Sequence, residues 1–182
     1  MSTPATIALD AEAIARCVKR IAREIAERGN GAGGGLILVG VARRGASLAE
    51  RIAAVLRGDG LAILNFGTLD ISSYRDDGRG APGDPRLIGR DIPFPIDGAR
   101  VILVDDVLYT GRTVRAALTA LTDLGHPDAI ELAVLVDRGE HELPIRADYV
   151  GKNIAAPADQ RVYVRLNEID GVDAVVIGGG KP

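Results

Sequence analysis

Cysteine is nearly absent from the 182 residues: Cys17 stands alone. A single thiol excludes an internal disulfide and fits a reducing, cytoplasmic setting. No apolar run approaches the roughly 20 residues that cross a bilayer as a helix, so no membrane span is expected. Residues Met1 to Asp10 lack both a basic n-region and a continuous apolar stretch, so no secretory leader is expected either. Internal repeats are absent. Charge of one sign is also scarce: the net of −3 argues against indiscriminate nucleic-acid binding and leaves room for a local basic patch.

What is present is enough to fold. Hydrophobic residues make up 47%, too many for a disordered chain. The length is most simply one domain over residues 1–182.

The chain is organised around Val101 to Thr113, reading VILVDDVLYTGRT. Four apolar residues predict a buried strand, and two adjacent carboxylates, Asp105 and Asp106, follow it. A short turn carries Tyr109, Thr110, Gly111, Arg112 and Thr113. A helix then starts, with Val114, Ala117, Leu118, Leu121 and Leu124 on one face and Gly125 as its C-cap. The first N–H groups of a helix are unpaired and its dipole is positive there, so such a turn binds phosphate. Paired carboxylates beside it suit a sugar diol and a hydrated divalent metal. The stretch points to a phosphorylated sugar.

A second unit of the same kind precedes it. Asp10 is placed as an N-cap, and Ile14, Val18, Ile21 and Ile25 recur at helical spacing. Arg16, Lys19, Arg20 and Arg23 occupy other faces, as a solvated helix surface requires. Gly29, Gly31 and Gly34 match G-x-G-x-x-G, but after a helix and before a strand, so the segment reads as a connector. Leu36 to Val39 predicts a buried parallel strand, and a loop with Arg43 and Arg44 leads into a helix with Leu48, Ile52 and Leu56 inward. A basic loop at the carboxyl edge of a parallel sheet suits an anion.

Leu61 to Asn65 and Leu69 to Ser73 read as two further strands. From about residue 74 to 92 the apolar pattern fails, and Gly, Asp and Pro dominate. A stretch of that length reads as a flexible lid, and Arg75, Arg79, Arg86 and Arg90 give it the charge to close over an anion. Ile130 to Val136, Val162 to Leu166 and Ala174 to Ile177 complete the strands. Alternating strands and helices predict an α/β fold, a mainly parallel sheet flanked by helices.

VILVDDVLYTGRT resembles the phosphoribosyl-diphosphate (PRPP) binding motif of type I phosphoribosyltransferases. Leu38 to Gly45, the DIxxYRDD pattern at Asp70 to Asp77, AVLVDRG and ELPIRADYVGKN resemble one subgroup. That subgroup is PyrR, the bifunctional pyrimidine-operon attenuation regulators and uracil phosphoribosyltransferases. The resemblance runs from about Leu9 to Val176. It implies the type I phosphoribosyltransferase fold with a small hood. It implies that uracil and PRPP give UMP and diphosphate with Mg2+, that UMP promotes binding to an mRNA hairpin, and that the chain forms a homodimer or higher homo-oligomer.

On this reading Asp105 and Asp106 hold the ribose hydroxyls, directly or through Mg2+, and stabilise positive charge on the sugar. The segment from Val107 and Leu108 through Tyr109, Thr110, Gly111, Arg112 and Thr113 cradles the 5′-phosphate. Arg43, Arg44, Arg75, Arg86 and Arg90 neutralise the diphosphate. Related purine enzymes carry an acid at the position of Tyr109, so Tyr109 fits a pyrimidine. The resemblance assigns the uracil edge to Asp137, Arg138 and backbone near Val162. Its RNA surface would take Lys19, Arg20, Arg23, Arg43, His141, Arg146 and Lys152. Several of these positions depart from the family pattern: Lys19, Arg23, Arg43, Glu140-His141 and Ala155-Ala156-Pro157. Glu140 places negative charge where RNA would favour the reverse. Two alternatives stay open: a catalytically weak nucleotide sensor that binds RNA, and a phosphoribosyltransferase for another base.

Overall fold

A computed structural model describes residues 5–29, 35–71 and 90–179. Its larger sheet has the order β4-β3-β2-β5-β6-β7, from Arg90–Asp91 (β4), Ile63–Leu69 (β3), Leu36–Val41 (β2), Arg100–Leu108 (β5), Ala129–Asp137 (β6) and Tyr149–Asn153 (β7). Every pairing in it is parallel except β3 with β4. Thr6–Leu9 (β1), Ala174–Gly178 (β9) and Arg161–Arg165 (β8) form a smaller antiparallel sheet, which with the short helix α4 (Asn167–Asp170) makes the hood.

Side-chain alternation decides how the layers stack. On β2, Leu36 and Leu38 face one way and Ile37 and Val39 the other, and all four are buried. The first pair meets helices α1 (Ala11–Gly29) and α2 (Ala42–Gly58) through Ile14, Ile21, Ile25, Leu48, Ile52 and Leu56. The hood joins this same core through Leu9, Val164, Leu166 and Val175. The second pair meets helix α3 (Arg112–Thr122) through Val114, Ala117 and Leu121. Asp10 caps α1 as expected, its Oδ1 accepting from the Ala13 N–H at 2.8 Å.

Five expectations change. Where two strands are expected at Leu61–Asn65 and Leu69–Ser73, one strand, β3 (Ile63–Leu69), pairs with β2, and Ser72 and Ser73 lie outside the described residues. Arg43 and Arg44 stand in the first turn of α2, not in a loop before it. Helix α3 ends at Thr122, and Gly125 is not its C-cap; the Asp123 N–H closes the last turn onto Thr119. Strand β5 continues through the carboxylates to Leu108, held on one side by β6. Arg90 belongs to β4, while the remaining lid arginines Arg75, Arg79 and Arg86 lie outside the described residues. Among the described residues no helix is long and apolar enough to cross a membrane.

Candidate functional site

The sheet order creates the crevice. β2 leads through α2 to β3 on one side, and β5 leads through α3 to β6 on the other, so the chain diverges between the neighbours β2 and β5. Ligands of open α/β sheets bind beyond the carboxyl ends of strands at such a switch point. Here it brings the first turn of α2 beside the carboxylates of β5. The approach is close: a Cβ on Gly45 would stand 2.5 Å from the Val104 carbonyl oxygen, so only glycine fits.

A cavity of about 440 Å3 opens there, lined by Ala42, Arg43, Arg44, Asp105, Asp106 and Thr113, among others. Asp105 is buried, and its Oδ1 accepts from the Asp106 N–H at 2.9 Å; Asp106 is half-buried, and its Oδ1 accepts from the Val107 N–H at 2.9 Å. Both carboxylates are thus oriented by backbone donors. Among the described residues no group of three or more His, Cys, Asp or Glu could cage a metal. Two adjacent carboxylates instead fit a hydrated Mg2+ that brings most of its oxygen ligands with its substrate.

The turn expected to take a phosphate joins β5 to α3. Gly111 is the N-cap of α3 with φ 90°, a left-handed conformation that favours glycine. Its carbonyl accepts the first helical bond from the Arg115 N–H, and Thr110 Oγ1 accepts from the Arg112 N–H at 3.3 Å. Thr110 and Thr113 are half-buried, while Leu108 is buried and offers only backbone. The Arg112 side chain is exposed and engaged with Glu142, its Nε donating at 2.9 Å.

A neighbouring cavity of about 430 Å3 is lined by Val107, Tyr109, Arg138, Gln160, Arg161 and Val162, among others. Arg138 is buried and stacks on the Tyr109 ring, its guanidinium carbon 3.9 Å from the centroid. It also donates to the Pro157 carbonyl. Asp137 turns to His141, whose Nε2 is 2.8 Å from Oδ1.

The hood supplies what the sequence could not reveal. A cavity of about 400 Å3 is lined by Arg44 and Asp106 from the core and by Tyr163, Arg165 and Asp170 from the hood, among others. Arg44 donates to Asp170 at 2.7 Å. Burial works against ionising Asp170, but the Leu166 N–H and Arg44 outweigh it and hold the carboxyl below its ordinary range. No sequence motif links residues 126 positions apart.

The residues assigned to RNA do not share one environment. Lys19, Arg23, Arg43, Arg146 and Lys152 are exposed. Arg20 donates to Glu24 and to the Val150 and Gly151 carbonyls, tying α1 to β7. The His141 side chain is only 8% exposed.

Comparison with known proteins agrees with this geometry. The model of the phosphoribosyl transferase domain family matches residues 6–164. A "Bifunctional protein PyrR" of Roseiflexus sp. (strain RS-1) is 57% identical over 171 residues, covering 93% of this chain and 92% of that protein. One of Pelotomaculum thermopropionicum is 53% identical, covering 93% of each. Among solved structures, the hypoxanthine phosphoribosyltransferase of Trypanosoma cruzi aligns with a TM-score of 0.76 at 20% identity, covering 97% of both chains. That of Staphylococcus aureus aligns with a TM-score of 0.72 at 21% identity, covering 97% of this chain and 91% of the other. The chain belongs to the phosphoribosyl transferase domain family and, within it, to the bifunctional PyrR proteins.

Proposed function

We propose that this chain transfers the phosphoribosyl group of PRPP to uracil in the cytoplasm, giving UMP and diphosphate, and that UMP promotes its binding to a hairpin in pyrimidine-operon mRNA. The observation that carries the catalytic reading is the convergence of Asp105, Asp106, Arg43, Arg44 and Thr113 on one cavity at the switch point. Breaking the C1–diphosphate bond builds positive charge on the ribose and negative charge on the leaving group. Asp105 and Asp106 hold the ribose hydroxyls and face the developing cation. The turn from Tyr109 to Thr113 takes the 5′-phosphate on its backbone N–H groups and the Thr110 and Thr113 hydroxyls. Arg43 and Arg44, joined by Arg75, Arg86 and Arg90, take the diphosphate. Asp105 and Asp106 would also hold Mg2+, which when bound neutralises part of the diphosphate charge.

Uracil is assigned to the cavity of Tyr109, Arg138 and Val162, with Asp137 at its strand end. Tyr109 presents no carboxylate to a purine ring nitrogen, which supports a pyrimidine. The RNA reading is supported by the relatives' name and by exposed cations at Lys19, Arg23, Arg146 and Lys152. A homo-oligomer belongs to the same reading. Uracil and PRPP with Mg2+ should yield UMP, while hypoxanthine, guanine and orotate in place of uracil should not react. UMP should tighten binding to the hairpin, and Arg146→Ala should weaken it. Product from a purine and none from uracil would sink the base assignment.

A further inference from the structure

The segment from Gly139 to Arg146 lies behind the phosphate-type turn and holds it at several points. The Glu142 and Leu143 N–H groups both donate to the Thr110 carbonyl, at 3.1 and 3.2 Å. The Glu142 carboxylate pairs with Arg112 at 2.8 Å. Leu143 and Ile145 pack against Gly111, so that a Cβ there would meet Leu143 at 3.4 Å. Whatever fixes this segment therefore fixes the turn.

One imidazole links it to the end of β6. His141 Nε2 is 2.8 Å from Asp137 Oδ1, and the same oxygen accepts from the Gly139 N–H at 2.8 Å. On the other side of the ring, Arg146 Nη1 is 2.5 Å from Nδ1. A guanidinium only donates, so Nδ1 must accept and hold no proton. The proton then sits on Nε2 and is donated to Asp137. Both ring nitrogens are used, in one direction only: Arg146 to His141 to Asp137.

We propose that His141, uncharged and protonated on Nε2, is the positioning residue that locks the 139–146 segment to the end of β6 and thereby holds the turn Thr110–Arg112 in shape. That the turn's ligand is a 5′-phosphate rests on the function proposed above; the lock itself does not. A second ring proton would place N–H against N–H at Arg146 and break the relay. The charges around the ring are Asp137 at the end of β6, the Arg138–Glu140 pair beside it at 3.6 Å, Arg146 on the segment, and the Arg112–Glu142 pair from the start of α3. Lys152 on the adjacent strand β7 is exposed. Glutamine is the informative replacement, because its amide both donates and accepts.

The full chain has only two histidines, His126 and His141, so nitrogen-15 NMR assigns the tautomer directly. The expected result at neutral pH is protonated Nε2 and bare Nδ1 for His141; the opposite tautomer or an imidazolium overturns the proposal. Amide hydrogen exchange of Thr110 to Thr113 tests the lock without any ligand. Exchange should quicken about tenfold in His141→Phe, as for loss of a hydrogen bond to a charged group, and stay near wild type in His141→Gln. Equal exchange in wild type and His141→Phe overturns the proposal. UMP titrations complete it: His141→Phe should bind UMP more weakly than His141→Gln does. Equal affinity of the two variants contradicts the role of the ring's hydrogen bonds. Absence of UMP binding to wild type would remove the ligand reading alone, leaving the tautomer and exchange results to decide the lock.

Discussion

Arg44 donates through Nη2 to Asp170 Oδ1 at 2.7 Å, so an arginine assigned to diphosphate is held by a carboxylate of the hood. A diphosphate bound as proposed would compete with Asp170 for the same guanidinium. Both side chains are partly exposed, at 38% and 22%, so the pair contributes at most about 1 kcal/mol. Asp170→Asn should therefore strengthen diphosphate binding by up to about fivefold, read by isothermal titration. Unchanged or weaker binding would mean that Asp170 does not compete for Arg44.

The hood is also tied to α2 by Arg51, which pairs with Glu168 at 2.6 Å and with Asp173 at 2.7 Å. Arg51 is the largest influence on both carboxyls and holds each below its ordinary range. A carboxyl lowered on folding stabilises the fold above its unfolded pKa, and that contribution is lost as pH falls through the folded value. Thermal unfolding should show wild type losing more stability than Arg51→Ala as pH drops from neutral through the carboxylate range. At neutral pH Arg51→Ala should cost about 1–2 kcal/mol, and parallel pH profiles for the two would refute the assignment.

Gly45 tests the packing that brings the two halves of the site together. A methyl group at this position would lie 2.5 Å from the Val104 carbonyl oxygen, a backbone atom that cannot swing aside. Gly45→Ala should destabilise the chain by about 2 kcal/mol or more in denaturant unfolding and should lower diphosphate affinity with it. A neutral substitution would contradict the close approach of α2 to β5.

Much of this was legible in the sequence, and the reasons are local. Val101 to Thr113 carries its own strand, turn and helix signals, so β5, the Gly111 turn and α3 follow from neighbours in the chain. The same holds for the inward faces of α1 and α2. The rest depends on distant partners. β3 reads as two strands because Gly67 and Thr68 interrupt the apolar pattern, and pairing with β2 overrides that interruption. Gly125 looks like a cap, but it is packed against Ile96 and Asp97, a contact no local pattern encodes. Asp170 reaches the site only because the hood folds over Arg44. His141 sits four residues after Asp137, yet its role depends on Arg146 closing the other side of the ring.

The buried network of Arg100, Glu131 and Tyr149 gives a stability prediction away from the site. Arg100 Nε and Nη2 donate to Glu131 at 2.7 and 2.9 Å, Nη2 also meets the Tyr149 hydroxyl, and Nη1 caps the Ile25 carbonyl near the end of α1. Burial, with the Glu131 carboxylate adding to it, pushes the Tyr149 phenol up to about 12. Glu131→Gln leaves the nearly buried guanidinium without its counter-charge and should cost about 3 kcal/mol, with UMP formation unchanged in the fraction that stays folded. A shift in melting temperature under about 2 °C would show that the pair contributes little.

The central claim is that Asp105 and Asp106 hold the ribose of PRPP while uracil attacks it. The most direct measurement is UMP formation from uracil, PRPP and Mg2+ by wild type and by the folded Asp105→Asn/Asp106→Asn double variant. The account predicts turnover by wild type and a loss of at least about a hundredfold in the variant, with the fold intact by circular dichroism. Equal turnover by the two proteins would contradict it.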